Sequence, residues 1–278
     1  MPRPKISWFP LRHLSSAIAC GHPSLEDWLS SAYQMGLRHL AVDARILPGT
    51  APEVLRALSK RMQQHELGVS AVNCTTDFVH PDPDVRQHDR DTALASVDLA
   101  RTVGAATVVV TAGQEHPGQS ACDSLIWCAE SLTRVADEAH RVGVTVALEN
   151  RYRDPRWSNI GFAAQTCDLL ALLDSTSDSP LSVCFNTGAP LMVAEDPLSA
   201  LEPVADRVHC LHVADRFPGQ QTQTVLGEGA VDFDALFACL VAVDYTGSVC
   251  LADGNPTGDA GTDRGLHFLR AKIAQWWG

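Results

Sequence analysis

The sequence predicts an α/β protein, a single (β/α)8 TIM barrel, and three observations carry that expectation. Eight short apolar or β-branched runs alternate with longer stretches of helical periodicity. No glycine-rich phosphate fingerprint follows the first run, as it would in the runner-up architecture, an open doubly wound sheet. No Pro/Gly/Ser-rich linker or composition shift divides the 278 residues, so 1–278 reads as one domain.

Taken in order, ISWFPL (6–11) is the first strand candidate. Ser24-Leu25-Glu26-Asp27 then opens a helix with a capping serine and an acidic first turn, ending near Gly36. HLAVDA (39–44) and GVSAVNC (68–74) are the second and third strands. Residues 84–103 place apolar side chains three and four apart and stop at Gly104. TVVVTA (107–112) follows, then a second long helix over 120–142, stopping at Gly143. VTVALEN (144–150) and LSVCFNT (181–187) are the fifth and sixth strands, with STSDSP (175–180) a helix-to-strand connection. VHCLHVAD (208–215), a helix from Asp232 to Val243, SVCLADG (248–254) and a helix from Asp263 to Trp276 complete the chain. The closing QWWG reads as terminal helix packing.

Composition narrows the function. Lys plus Arg is 21 and Asp plus Glu is 33, a formal net charge of −12. Such a chain repels phosphate backbones and anionic lipid, which disfavours nucleic acid and membrane surfaces as partners. No apolar run is long enough to span a bilayer, and MPRPKISWFPLRHL lacks a signal-peptide core, so a cytoplasmic location is expected. The nine cysteines form no CxxC pair; Cys184, Cys210 and Cys250 sit inside strand-like runs and read as buried thiols.

In a barrel of this kind the functional end is the carboxyl end of the strands. Polar residues recur there: Asp43, Asn73, Thr111, Glu149, Asn186, His212 with Asp215, and Asp253. One such residue would mean nothing; a succession of carboxylate, amide and imidazole groups suggests a shared pocket. Glu149, Asn186, His212 and Asp253 could converge, and oxygen donors with one imidazole suit Mn2+ or Mg2+. His209 and His212 are an odd number apart, so a regular strand points only one of them inward.

With those residues in view, the chain resembles the xylose isomerase-like barrels, the sugar phosphate isomerase/epimerase group. The likeness runs through SLEDWLSSAYQMGLRHLAVD, ALASVDLARTVGAATVVVTAG, VTVALEN, RVHCLHVADR and LGEGAVDFDALFACLVAVDYTGS. The resemblance implies a divalent metal, Mn2+, Mg2+ or Zn2+, held by Glu on the fifth strand, Asp on the sixth, His on the seventh and Glu on the eighth. Glu149 matches the first ligand and His212 the third. Asn186 stands at the aspartate, Ala189 at a substrate-contacting histidine, and Ala252 at the final glutamate, with Asp253 one residue later. The lost carboxylates predict a weak or lost metal site, and Asp253 would need a bulge to face inward.

The catalytic candidates are therefore Glu149, His212 and Asp253. Arg151, Arg153 and Arg156 follow the fifth strand, Arg45 the second and Arg216 the seventh, a cationic mouth suited to an anionic substrate. Arg216 and Arg151, with the loop histidines His22 and His116 and with Asp43, are the substrate-binding candidates. Three functions compete: a metal-assisted isomerase or epimerase on a small hydroxy-carbonyl compound, a metal-independent lyase, dehydratase or cyclase, and a non-catalytic binding or partner subunit. Barrels of this kind often pair, so a homodimer is also expected. An endonuclease role, which the resemblance also contains, fits poorly with the missing ligands and the acidic charge.

Overall fold

The computed structural model describes residues 2–11, 25–46 and 51–278. Eight parallel strands close in sequence order into a barrel. They are β1 (Lys5–Phe9), β2 (His39–Asp43), β3 (Gly68–Cys74), β4 (Thr107–Thr111), β5 (Thr145–Glu149), β6 (Ser182–Asn186), β7 (Val208–Val213) and β8 (Ser248–Ala252). Closure is made by β8 on β1, in register from Lys5↔Ser248 to Phe9↔Ala252.

The connecting helices are α1 (Leu25–Gln34), α2 (Pro52–Gln64), α3 (Pro83–Val103), α4 (Ala121–Arg141), α5 (Thr166–Ser175), α6 (Pro197–Leu201), α7 (Phe233–Ala242) and α8 (Asp259–Trp277). The sequence leads to helices in these gaps but sets no bounds for α2, α5 or α6, although Leu55, Leu58 and Met62 of α2 show the three- and four-residue spacing of a buried stripe. Asp82 begins α3 by accepting from the Asp84 N–H at 2.9 Å, with Pro83 in the first turn. Asp232 caps α7 through the Ala235 N–H at 3.0 Å. Trp277 is buried against Phe237 and Tyr245, which makes the terminal pair a packing device.

Period-two alternation sorts the strand residues into two cores. Outward-facing Leu40, Val42, Val72, Val108, Val110, Leu148, Phe185, Leu211 and Leu251 pack against the helices. Inside lies a smaller cluster: Phe9, Ala41, Ala71, Val109, Ala147, Cys184, Cys210 and Cys250. Small residues fill a narrow barrel without strain. The three thiols belong to this floor, and burial raises the pKa of Cys184 and Cys250, as expected of inert thiols. Cys122 and Cys167 are exposed, while Cys20 lies outside the described residues.

The strands depart from strict alternation at one place of consequence. Between β6 and β7 the register moves from Val183↔Val208 to Cys184↔Cys210, so His209 has no opposite number. Its Nε2 lies 3.0 Å from Thr107 Oγ1 on β4, three strands away across the barrel. Both histidines of β7 thus reach the interior, His209 below and His212 above, which corrects the expectation that only one could. No helix among the described residues is long and apolar enough to cross a membrane.

Candidate active site

Two residues beyond the inner floor, each strand places its next inward side chain. That spacing builds a ring at the carboxyl end: Asp43, Asn73, Thr111, Glu149, Asn186, His212 and Ala252. Neighbours are aligned by register, Asp43 with Asn73, Thr111 with Glu149, and Asn186 with His212. Above Glu149, Asn186 and His212 lies a cavity of about 450 Å3.

Glu149 is the centre of the ring and is 1 % exposed. Its Oε2 accepts from Arg151 Nε at 2.9 Å and Nη2 at 2.7 Å. Its Oε1 accepts from Asn186 Nδ2 at 2.9 Å and lies 3.0 Å from His212 Nδ1. Burial alone would push this carboxyl up, but the adjoining Arg151 and His212 outweigh it and hold Glu149 well below the usual carboxylate range. An ionised carboxylate can only accept, so the hydrogen between the two groups sits on His212 Nδ1, and Nε2 is the nitrogen not engaged with Glu149. Phe9 stacks on the imidazole, with ring centroids 6.3 Å apart.

The chain after β5 fixes these contacts. Asn150 accepts the Asn186 N–H at 2.6 Å and donates to the Asn186 carbonyl at 3.3 Å, which extends the β5–β6 pairing through a side chain. The Gly161 N–H donates to the Tyr152 carbonyl at 2.7 Å, and a Cβ on Gly161 would lie 2.1 Å from the Arg151 carbonyl oxygen. Glycine is required there for the loop to pass close over Arg151.

An alternating row of charges continues outward. Arg151 Nη1 lies 3.5 Å from Asp154 Oδ2, Arg45 Nη1 bonds the same oxygen at 3.1 Å, and Arg45 grips Asp43 through Nε at 2.8 Å and Nη2 at 2.6 Å. Burial opposes the charge on Arg45, yet pairing with Asp43 and Asp154 raises its pKa. Asp43, expected to bind substrate, is instead engaged with Arg45, behind the main cavity. Asp154 was missed by the sequence reading. The available signal was a lone acid among the three arginines of ENRYRDPRW.

Arg216 lines the cavity with Nη1 on the Gln221 carbonyl at 3.1 Å, while its buried Nε has no partner among the described residues. Burial lowers its pKa. Its neighbour Asp215 faces away and accepts from the backbone N–H groups of Arg216, Gly227, Gly229 and Val231, at 2.9 to 3.1 Å. A Cβ on Gly229 would stand 2.2 Å from Asp215 Oδ1, so the LGEG loop wraps this carboxylate only with glycine there.

The remaining candidates lie apart. Asp253 is out of phase with Ala252, and its carboxylate binds the Asn255 side-chain amide and the Thr262 hydroxyl on α8. It is not brought to Glu149, because no bulge turns β8. His116 lies 3.0 Å from Asp77 and edge-on to His80, outside the main cavity. His22 lies outside the described residues.

A divalent ion does not fit this arrangement. Every hydrogen-bonding direction of Glu149 faces a donor, and Asn186 turns its NH2 to the carboxylate while its oxygen accepts the Gly188 N–H at 3.2 Å. Ala252 offers no ligand, and no group of three His, Cys, Asp or Glu among the described residues is placed to hold a metal. An ion on Glu149 would stand beside the guanidinium of Arg151, whose Nη2 is 2.7 Å from Oε2.

The molecule is thus a closed parallel barrel with an acid–imidazole pair and several guanidiniums at its carboxyl end. The profile of the xylose isomerase-like TIM barrels matches residues 29–272, and the chain belongs to that family. It is 27% identical over 196 residues to a ketose 3-epimerase of Arthrobacter globiformis, covering 68% of this chain and 64% of that one. It is 25% identical over 241 residues to a fructoselysine 3-epimerase of Shigella flexneri, covering 82% of this chain and 85% of the relative. An inosose dehydratase of Bacillus thuringiensis (strain Al Hakam) is 25% identical over 174 residues, covering 54% of this chain and 58% of its own length. Among solved structures, the IOLI protein with a bound zinc atom superposes with a TM-score of 0.79 at 14% identity, over 98% of this chain and 99% of the other.

Proposed function

We propose that this chain is an enzyme of the isomerase/epimerase type that moves a proton next to the carbonyl of a small polar hydroxy-carbonyl compound, of sugar or keto-acid type. The observation that carries this reading is the Glu149–His212 pair at the cavity floor: with Nδ1 turned to the carboxylate, Nε2 serves as the base. In the forward step the C–H bond breaks, the proton moves to His212 Nε2, and its electron pair passes into an enediolate. Arg151 stabilises the oxyanion, and Arg216 holds the substrate's negative group. The imidazolium then delivers the proton to the adjoining carbon, the hydroxyl proton passes from one oxygen to the other, and the site is restored with the carbonyl moved by one carbon. Three cavity arginines, 151, 153 and 216, against the carboxylates of Glu149 and Asp154 favour a substrate carrying negative charge. The similar epimerases support the sugar-type substrate.

One observation favours isomerisation between neighbouring carbons over epimerisation, and also suits the second reading, a dehydration. His212 is the only histidine among the described cavity-lining residues. One base on one face suffices for those reactions, whereas inversion at a single carbon needs a second acid on the other face. Incubation of a panel of ketoses, aldoses and keto acids with the protein in D2O, followed by proton NMR, separates the outcomes. Deuterium with inverted configuration marks an epimerase, deuterium at a migrated carbonyl an isomerase, and loss of water a dehydratase. No exchange and no turnover on any compound would overturn the enzyme reading in favour of a binding subunit.

A further inference from the structure

The family resemblance implies a divalent cation at Glu149, yet the place of a positive charge beside that carboxylate is already taken. We propose that the Arg151 guanidinium is the resident cation of this site, and that it polarises the substrate oxygen in place of a metal ion. Arg151 leaves the chain two residues after Glu149, on the same strand phase, and two of its three nitrogens bind Glu149 Oε2 at 2.9 and 2.7 Å. Its side chain is 10 % exposed and that of Glu149 is 1 % exposed, so the pair is screened from water.

The surrounding charges pair up: with Arg156 also on Asp154, three carboxylates meet three guanidiniums. Glu149, Arg151, Asp154, Arg45 and Asp43 alternate in sign, with each neighbour bound to the next. An ion on Glu149 would have to displace Arg151 in a cavity that Arg153 and Arg216 also line. The third nitrogen, Nη1, has only the 3.5 Å contacts to Thr75 and Asp154 among the described residues. That leaves it donor capacity for a ligand oxygen, with the unpartnered Nε of Arg216 as a second cationic donor in the cavity.

The polarising role rests on the acid/base reading proposed above; the occupancy of the cation position does not. The full chain is therefore stripped by dialysis against chelator and titrated by calorimetry with Mn2+, Mg2+ and Zn2+, with bound metal counted by mass spectrometry. Wild type is expected to hold no equivalent of any ion at a dissociation constant below about 100 µM. One equivalent bound more tightly and lost in Glu149→Gln would overturn the proposal; an equivalent retained in Glu149→Gln binds elsewhere and upholds it. Arg151→Ala vacates the position and is expected to gain about tenfold or more in affinity for Mn2+ or for millimolar guanidinium ion, read as a thermal shift over wild type. No gain for either also overturns it. Should Arg151→Ala fail to fold, Arg151→Lys keeps the charge and is expected to exclude metal as wild type does. Failure of the sugar panel would remove the proposed activity and leave these readings intact, whereas a Glu149-dependent metal would remove the resident cation and leave the activity standing.

Discussion

At the scale of the residue, His212 differs from the other cavity groups because Glu149 holds one of its nitrogens and the other is left for chemistry. His212→Asn should therefore lower turnover by about 10²–10⁴-fold with little change in substrate affinity, measured as deuterium exchange rate and KM. Glu149→Gln should act differently, since it strips Arg151 of its countercharge in a buried setting. Breaking such a pair typically costs about 3–5 kcal/mol, so a clear loss in urea stability should accompany the loss of rate. Arg216→Met should raise KM for an anionic substrate by about 10- to 100-fold, the range of a lost charged hydrogen bond, while sparing kcat. An equal effect on neutral and anionic substrates would contradict an anion-binding role.

At the scale of the element, strand parity decides which polar residues meet. Asp43, Asn73, Thr111, Glu149, Asn186 and His212 were legible from the sequence as strand-end residues, and their two-residue offset from Ala41, Ala71, Val109, Ala147, Cys184 and Cys210 faces them inward. Asp215 and Asp253 break that phase and serve loops, which the same counting distinguishes. Parity could not reveal that Asp43 is gripped by Arg45, because that contact depends on where loop side chains turn. Nor could it place His209, whose bulge appears only when β7 is paired with β6. The loop after β7 offers a direct check. Asp215→Ala removes the acceptor of four backbone N–H groups and should destabilise by about 1–3 kcal/mol for each group left without water. The change should show as lower Tm and as faster proteolysis within 216–231.

At the scale of the molecule, the net charge of −12 and the arginine-lined cavity are compatible because, of 33 acidic residues, only Glu149 and Asp154 are among the described cavity-lining residues. Closure in sequence order was legible from eight alternations, whereas cavity shape was not, since it is set by loops such as 150–161. The amino-terminal end of the barrel carries two histidines with shifted titration. His39 at the start of β2 and His209 at the start of β7 both have lowered pKa values, through burial and, for His39, also through Lys5. In the unfolded chain each takes up a proton near pH 6.5, while the folded barrel resists protonation until lower pH. Stability should thus decline as pH falls from about 6.5 through the lowered folded values, because the unfolded state binds more protons in that window. Urea melts of wild type and His209→Gln at pH 7.5, 6.5 and 5.5 test this. The wild type should lose more stability on acidification than the variant, since glutamine can reach Thr107 yet takes up no proton. Parallel losses in the two proteins would assign the acid sensitivity to other groups.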